Sequence, residues 1–108
     1  MRLTTSETAG IVNGVESLLP PSFEGELRLY GSRVDDNAKG GDIDLVLIVN
    51  SHLHHQELKL VDFKIVAAIK WSYGIGDRKV DFQVIDRGEA QSGFYAEALK
   101  KSVVLKSW

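Results

Sequence analysis

The sequence contains no cysteine among its 108 residues. Disulfide bridges, thiolate zinc sites and thiol catalysis are therefore excluded. Long apolar runs are lacking as well, since no stretch approaches the roughly 18 consecutive apolar residues that a membrane-spanning helix requires. Residues 1–7 contain no apolar segment of the kind that forms the centre of a signal peptide. We therefore expect a soluble cytoplasmic protein that does not contact a membrane.

An excess of charge of either sign is also missing. The chain has 13 basic and 15 acidic residues and an isoelectric point near 5.9. Domains that bind nucleic acid usually carry a basic stripe and have an isoelectric point above about 9. We therefore expect no binding of a nucleic acid duplex. A chain of this length can bury about 65% of its unfolded surface, so we expect a single domain over residues 1–108.

Apolar side chains recur at helical spacing in three segments. Thr4 and Glu7 have the spacing of a capping box, which predicts the start of the first helix, and the prolines at positions 20 and 21 end it. A longer helical pattern covers about residues 53–73, and a third covers residues 94–101. The chain therefore has enough predicted helix to cover a small sheet.

Three strands are predicted, at about residues 26–30, 42–49 and 79–85. The second is apolar on both faces after Asp44, which is typical of a central strand. Residues 102–108 fit either a helical tail or a short edge strand. The predicted fold class is α/β (α+β), with a small mixed β-sheet and helices that cover one of its faces.

Two acids lie one residue apart at the start of the second strand. Asp42 and Asp44 share one face of the strand, because side chains alternate across a sheet. Two like charges about 4 Å apart repel by roughly 4 kcal/mol at an effective dielectric near 20, so the pair requires a cation or a proton. Asp81 alternates with the apolar side chains of the third strand. If it faces the same side, three carboxylates converge there.

The order of these residues resembles the signature of a known superfamily. Gly31 and Ser32 are followed by a nine-residue gap, by Asp42 and Asp44, and by a third acid, Asp81, on a later strand. This arrangement resembles the signature of the DNA-polymerase-beta-like nucleotidyltransferases, and the resemblance covers nearly the whole chain. The short length is similar to that of the minimal nucleotidyltransferases, which are often encoded beside a HEPN-domain protein as toxin-antitoxin pairs.

The resemblance implies a nucleotidyltransferase fold and a Mg²⁺-dependent transfer of a nucleoside monophosphate, with two ions about 3.5–4 Å apart. Asp42 and Asp44 would bridge the metal ions, and Asp81 would complete the site on the acceptor side. The alternative is that the three acids are unrelated surface or strand-end residues.

The loop before Asp42 is expected to bind phosphate. Gly31 permits a close backbone approach, and the Ser32 hydroxyl and neighbouring amides can donate to phosphate oxygens. Arg33 and Lys39 could neutralise triphosphate charge, although each could equally be a solvated side chain. An ordinary turn with a capping serine is the alternative for Gly31 and Ser32.

The resemblance also implies the substrates and the partner. A nucleoside triphosphate, in the first place ATP, would donate AMP to a hydroxyl of a HEPN-type toxin, and this chain would be the antitoxin. The alternative is a catalytically silent module of the same fold that neutralises or scaffolds a partner by contact. Transfer to a small molecule such as an aminoglycoside is less favoured, because those enzymes carry an added substrate domain. Association into a homo-oligomer stays open.

Three histidines, His52, His54 and His55, lie close together at the start of the second helix. They lack the i, i+4 spacing of a helical zinc pair and have no cysteine nearby. We therefore favour a polar helix start over a zinc site.

Overall fold

A computed structural model describes residues 3–30, 43–72, 75–76 and 79–108. The strands in these ranges are β1 (Gly25–Tyr30), β2 (Ile43–Val49), β3 (Val80–Asp86) and β4 (Val103–Ser107). They form one mixed sheet in the order β3-β2-β1-β4. Strand β1 pairs antiparallel with β2 and with β4, and β2 pairs parallel with β3. The predicted fold class, a mixed sheet with helices, is confirmed.

Helical segments precede the first strand, join β2 to β3 and join β3 to β4. They are α1 (Thr5–Glu16), α2 (His52–Leu60), α3 (Asp62–Ala67) with a π-helical turn at Ala68–Ser72, α4 (Arg87–Ala90), and α5 (Gly93–Ala98) with a 3₁₀ turn at Leu99–Lys101. Across the described ranges, every helix is too short or too polar to cross a bilayer.

Helix α1 starts at the predicted capping box. The Thr4 hydroxyl accepts from the Glu7 backbone N–H at 3.0 Å, and the Thr4 backbone N–H donates to Glu7 Oε1 at 2.9 Å. Ile11 and Val15, one helical turn apart, are fully buried. The apolar stripe and the cap thus agree on where the helix begins and which face it buries.

The long helix predicted over residues 53–73 is divided. Ser51 caps α2 by accepting from the His54 backbone N–H at 3.3 Å. The helix breaks at Val61, which has φ −118° and ψ 16°, and α3 then runs into the π-helical turn. Leu58 and Ile65 are still both buried. An apolar stripe indicates which side chains are buried, but it does not indicate where the backbone hydrogen bonds of the helix are interrupted. The break was therefore not predictable from the pattern.

Helices α1 to α3 cover one face of the sheet, as predicted. The side chains of this face alternate along each strand and are buried between the sheet and these helices. They include Leu27, Leu29, Leu45, Leu47, Val49, Phe82 and Val84. This layer is the main core of the protein and fixes the orientation of every strand.

The reverse face is covered at one end. Val46, Ile48 and Ile85 are buried there beneath α4, α5 and the 3₁₀ turn, with which they form a second, smaller apolar cluster. Helix α4 begins directly after β3, at Arg87. Its cap is a second capping box, between Asp86 and Glu89. The other end of this face, where β2 and β3 begin, is not covered by this cluster.

Residues 102–108, which fitted two interpretations, form an edge strand. Strand β4 pairs with β1, and the register shifts between Leu27 and Arg28. Trp108 packs edge-on against Phe23 at a ring distance of 5.6 Å, and its indole N–H donates to Glu16 at 2.9 Å. Both contacts hold the end of β4 against the main core.

A charged cluster lies at the far end of the reverse face. Glu26 accepts from Arg28 Nε at 2.9 Å and from Arg87 Nη1 at 3.1 Å, and Arg87 also donates to Asn50 at 2.8 Å. Burial alone would raise the pKa of Glu26, but the hydrogen bonds and charges of the two arginines outweigh it and lower the pKa. Glu26 therefore holds the start of β1 against α4 as a carboxylate.

The lowered pKa of Glu26 predicts a loss of stability in acid. A group whose pKa is lower in the folded state stabilises the fold above its unfolded pKa, and this contribution disappears as the pH falls through the folded pKa. Urea unfolding from about pH 6 to pH 3 should show the difference between the wild type and Glu26→Gln shrinking below about pH 4.5. Parallel stability curves for the two proteins would contradict this assignment.

Candidate active site

The parallel pairing of β2 and β3 brings two carboxylates together. In the register of these strands Asp44 is the partner of Asp81, one step after Ile43 and Val80. Neighbouring strands are about 4.8 Å apart, and paired residues point to the same face. Both aspartates are partly buried and lie on the reverse face, at its uncovered end. The structure thus places Asp44 and Asp81 side by side.

Tyr30 is the next side chain on this face. It pairs with Asp44 across β1 and β2. Burial is the main cause that raises its pKa to about 12, and the charges of Tyr95, Asp44 and Asp81 act in the same direction. The phenol is therefore protonated at neutral pH, and its hydroxyl can donate a hydrogen bond into the site.

A pocket of about 610 Å³ opens over these three side chains. This volume lies in the range of about 300–1,000 Å³ that is typical of small-molecule sites. Its floor comes from β1, β2 and β3, and its wall comes from α5 and the 3₁₀ turn. The lining residues are Tyr30, Asp44, Asp81, Phe94, Glu97, Ala98, Lys100 and Lys101.

The pocket has acids at its floor and cations on its wall. Lys100 and Lys101 line it, and Lys100 makes an exposed ion pair with Glu97 at 3.1 Å. Oxygen ligands such as the Asp44 and Asp81 carboxylates suit Mg²⁺, which retains several waters and needs few protein ligands. An anionic, metal-binding ligand such as a triphosphate would meet both charge types here.

Only part of the predicted site can be placed. Asp42 and the predicted phosphate-binding residues lie outside the described residues, so their positions and roles stay predictions; these are Gly31, Ser32, Arg33 and Lys39. Asp44 and Asp81 are brought together, while their role as metal ligands stays a prediction.

Sequence reasoning missed the remaining lining residues. Lys100 and Lys101 fall at the end of the predicted third helix, and nothing in the sequence marks Phe94 as a site residue. Tyr30 had one clue: it follows the buried Leu29, so its side chain faces the other side of the sheet, and it ends the strand that leads to residue 31. The wall formed by α5 depends on how the chain folds back after β3, which spacing alone does not show.

The sequence matches no protein-family model and no curated protein. A similar solved structure is that of a protein from Sulfolobus solfataricus proposed to be a nucleotidyltransferase. The two chains are 22% identical, superpose with a TM-score of 0.58, and match over 99% of this chain and 92% of the other. The chain therefore has a nucleotidyltransferase-like fold over nearly its whole length. At this identity the likeness establishes architecture, and the chemistry rests on the site.

Proposed function

We propose that the chain is a nucleotidyltransferase that moves a nucleoside monophosphate, in the first place AMP from ATP, to an acceptor hydroxyl. The observation that carries this proposal is the register pairing of Asp44 with Asp81 at the floor of a pocket whose wall includes Lys100 and Lys101. Two adjacent carboxylates held by a rigid sheet are well placed to bind a metal ion together with phosphate. The nucleotidyltransferase-like fold supports the same chemistry.

Asp44 and Asp81, together with Asp42, would hold Mg²⁺. Bound there, the metal would neutralise phosphate charge and lower the pKa of the acceptor hydroxyl. The Asp44 and Asp81 side chains suit the ion because they offer hard oxygen ligands at adjacent positions of two hydrogen-bonded strands.

The other lining residues would bind and orient the nucleotide. Lys100 and Lys101 would pair with phosphate oxygens, and such charge-assisted hydrogen bonds are about twice as strong as neutral ones. The Tyr30 hydroxyl, protonated at neutral pH, would donate to the ligand. Phe94 is 67% exposed at the pocket and offers an aromatic surface against which a base can stack.

We further propose that the acceptor is a protein of the HEPN type and that the chain acts as its antitoxin. Large apolar side chains on the outer helix layer support contact with a protein. Leu53, Leu60, Phe63 and Trp71 are 63–77% exposed.

Label transfer tests the reaction. The chain would be incubated with Mg²⁺ and a lysate of its source organism, with ATP labelled in either the α- or the γ-phosphate. Nucleotidyl transfer retains the α label on a protein and releases the γ label with pyrophosphate. Retention of the γ label instead would indicate phosphoryl transfer and contradict the proposal.

A binding module that acts by contact alone is the second candidate, and the same exposed apolar side chains favour it. Both candidates predict a complex with a HEPN-type protein, so binding does not separate them. The intact mass of the partner after incubation with Mg²⁺ and ATP does. A gain of one AMP supports the enzyme, and an unchanged mass with every nucleotide supports the binding module.

A further inference from the structure

A second cluster of metal-ligating side chains lies away from the pocket. His55 on α2, Asp86 at the end of β3 and Glu89 on α4 each offer a ligand atom, and these atoms all lie within 4.8 Å of one another. Asp86 and Glu89 are three residues apart in the capping box of α4, whereas His55 comes from a distant part of the chain, so no local turn explains why the histidine meets the two acids.

This cluster is distinct from the proposed magnesium site. Asp86 pairs with Val49, whereas Asp81 pairs with Asp44 on the same two strands. Five residues along a strand correspond to about 17 Å. The two groups therefore lie at opposite ends of the β2 and β3 pair, and mutations can change one without touching the other.

His55 carries the argument for a ligand. Its side chain is 12% exposed, and its Nε2 lies 3.5 Å from Glu89 Oε1. Both ring nitrogens are buried, and neither has a hydrogen-bond partner among the described residues. Buried polar atoms are nearly always satisfied, and an unsatisfied one is costly. The fold holds an imidazole beside two carboxylates without meeting its hydrogen-bonding needs.

The two carboxylates are held in place by the α4 capping box. Asp86 Oδ1 accepts from the Glu89 backbone N–H at 2.8 Å, and Glu89 Oε1 accepts from the Asp86 backbone N–H at 3.2 Å. Each ionised carboxylate has about four lone-pair positions on two oxygens, so one capping bond leaves room for a metal. The capping box explains how the two acids face each other but not why His55 points between them.

We propose that His55, Asp86 and Glu89 bind a divalent transition-metal ion of the zinc class. A nitrogen ligand with two carboxylate oxygens suits Zn²⁺ and its neighbours, whereas Mg²⁺ prefers oxygen ligands alone. Ligand atoms at 2.0–2.2 Å around a tetrahedral ion are about 3.4 Å apart. His55 Nε2 and Glu89 Oε1 are already close to this spacing at 3.5 Å, and the Asp86 carboxylate oxygen lies within 4.8 Å of both.

The bound ion would join α2 to the end of β3 and to α4. It would revise the interpretation of the histidines as a polar helix start. His52 is exposed and His54 stacks on Phe23, so His55 alone of the three faces the acids.

Calorimetric titration of Zn²⁺ tests the site. The full chain would carry Asp42→Asn, Asp44→Asn and Asp81→Asn, so that the carboxylates of the proposed magnesium site contribute nothing, and would be stripped with a chelator. We expect one Zn²⁺ per chain. His55→Gln, Asp86→Asn and Glu89→Gln, added singly, should each weaken binding at least tenfold, since even outer-sphere changes cost about 10–100-fold. Zn²⁺ should raise the melting temperature only where the three ligands are intact.

The substitutions of Asp86 and Glu89 are chosen to preserve the fold. Asparagine is as good an N-cap as aspartate, and glutamine replaces glutamate in a capping box. His52→Gln is the matched control, because it removes an exposed histidine from the same helix, and it should bind Zn²⁺ as before. The proposal is overturned if Zn²⁺ fails to bind, if both Asp86→Asn and Glu89→Gln bind it unchanged, or if His52→Gln weakens binding as much as His55→Gln.

Discussion

Replacing Asp44 or Asp81 by asparagine is expected to reduce nucleotidyl transfer by about a thousandfold or more. The amide is nearly isosteric with the carboxylate, but it is neutral and a weak ligand for Mg²⁺. Metal ions contribute several kcal/mol of charge stabilisation to such reactions, and about 4 kcal/mol corresponds to a factor of a thousand in rate. Because the two side chains are partners in register, either substitution alone should give nearly the full effect.

The loss must be one of chemistry and not of folding. We expect each variant to melt within about 5 °C of the wild type in EDTA, since roughly 1 kcal/mol shifts a domain of this size by 4–8 °C. Mg²⁺ with ATP should raise the melting temperature of the wild type and not of the variants. The control is Glu57→Gln, which changes an exposed acid on α2, on the other side of the sheet from the pocket. This variant should transfer the nucleotide normally. Wild-type transfer by both aspartate variants would remove the proposed mechanism.

Gly25→Ala is expected to give the largest loss of stability, about 3 kcal/mol or more. A Cβ atom at Gly25 would lie 2.2 Å from the backbone oxygen of Ile48 and 2.7 Å from Phe23 Cζ. Gly25 pairs with Val49 on β2, and its backbone carbonyl accepts from the Trp108 N–H at 2.9 Å. The methyl group cannot be accommodated by rotating a side chain, because backbone on β2 lies in its path. Native domains have only about 5–15 kcal/mol in reserve.

Urea unfolding of Gly25→Ala and Gly88→Ala compares a glycine crowded by backbone with one crowded only by a side chain. A Cβ at Gly88 meets only the Asp86 side chain, at 3.3 Å. Gly88→Ala also gains helix propensity of up to about 1 kcal/mol. We expect its stability to stay within about 1 kcal/mol of the wild type. Equal destabilisation by the two substitutions would show that steric contact with β2 is not the cause.

Local signals in the sequence were sufficient to predict most elements. The Thr4 cap, the alternation of Phe82 and Val84 and the apolar stripe through Leu58 and Ile65 all act over a few residues, and the structure retains each of them. The break at Val61 was not predictable in this way. It reflects how the helices fit onto the sheet, and that fit depends on residues distant in sequence.

The candidate site shows the same division. Alternation along β3 places the side chains of Asp81 and Phe82 on opposite faces of the sheet. It does not tell which residue of β2 lies beside Asp81. The pairing with Asp44 depends on the parallel register of two strands joined by α2 and α3. The meeting of His55 with Asp86 and Glu89 is likewise a product of that crossover. The sequence therefore allowed single candidate site residues to be recognised, but it did not give the distances between them.

The edge position of β4 has a consequence for how the protein assembles. Glu26 on β1 pairs with Ser107, so this part of the sheet closes a loop that contains most of the chain. Such distant pairings form late, because the entropy of loop closure must be lost before the contact is gained. Until β4 docks, β1 presents unpaired backbone groups that a strand from another molecule can occupy. We therefore expect the contacts of Trp108 with Phe23 and Glu16, which hold β4 in place, to disfavour strand exchange between copies.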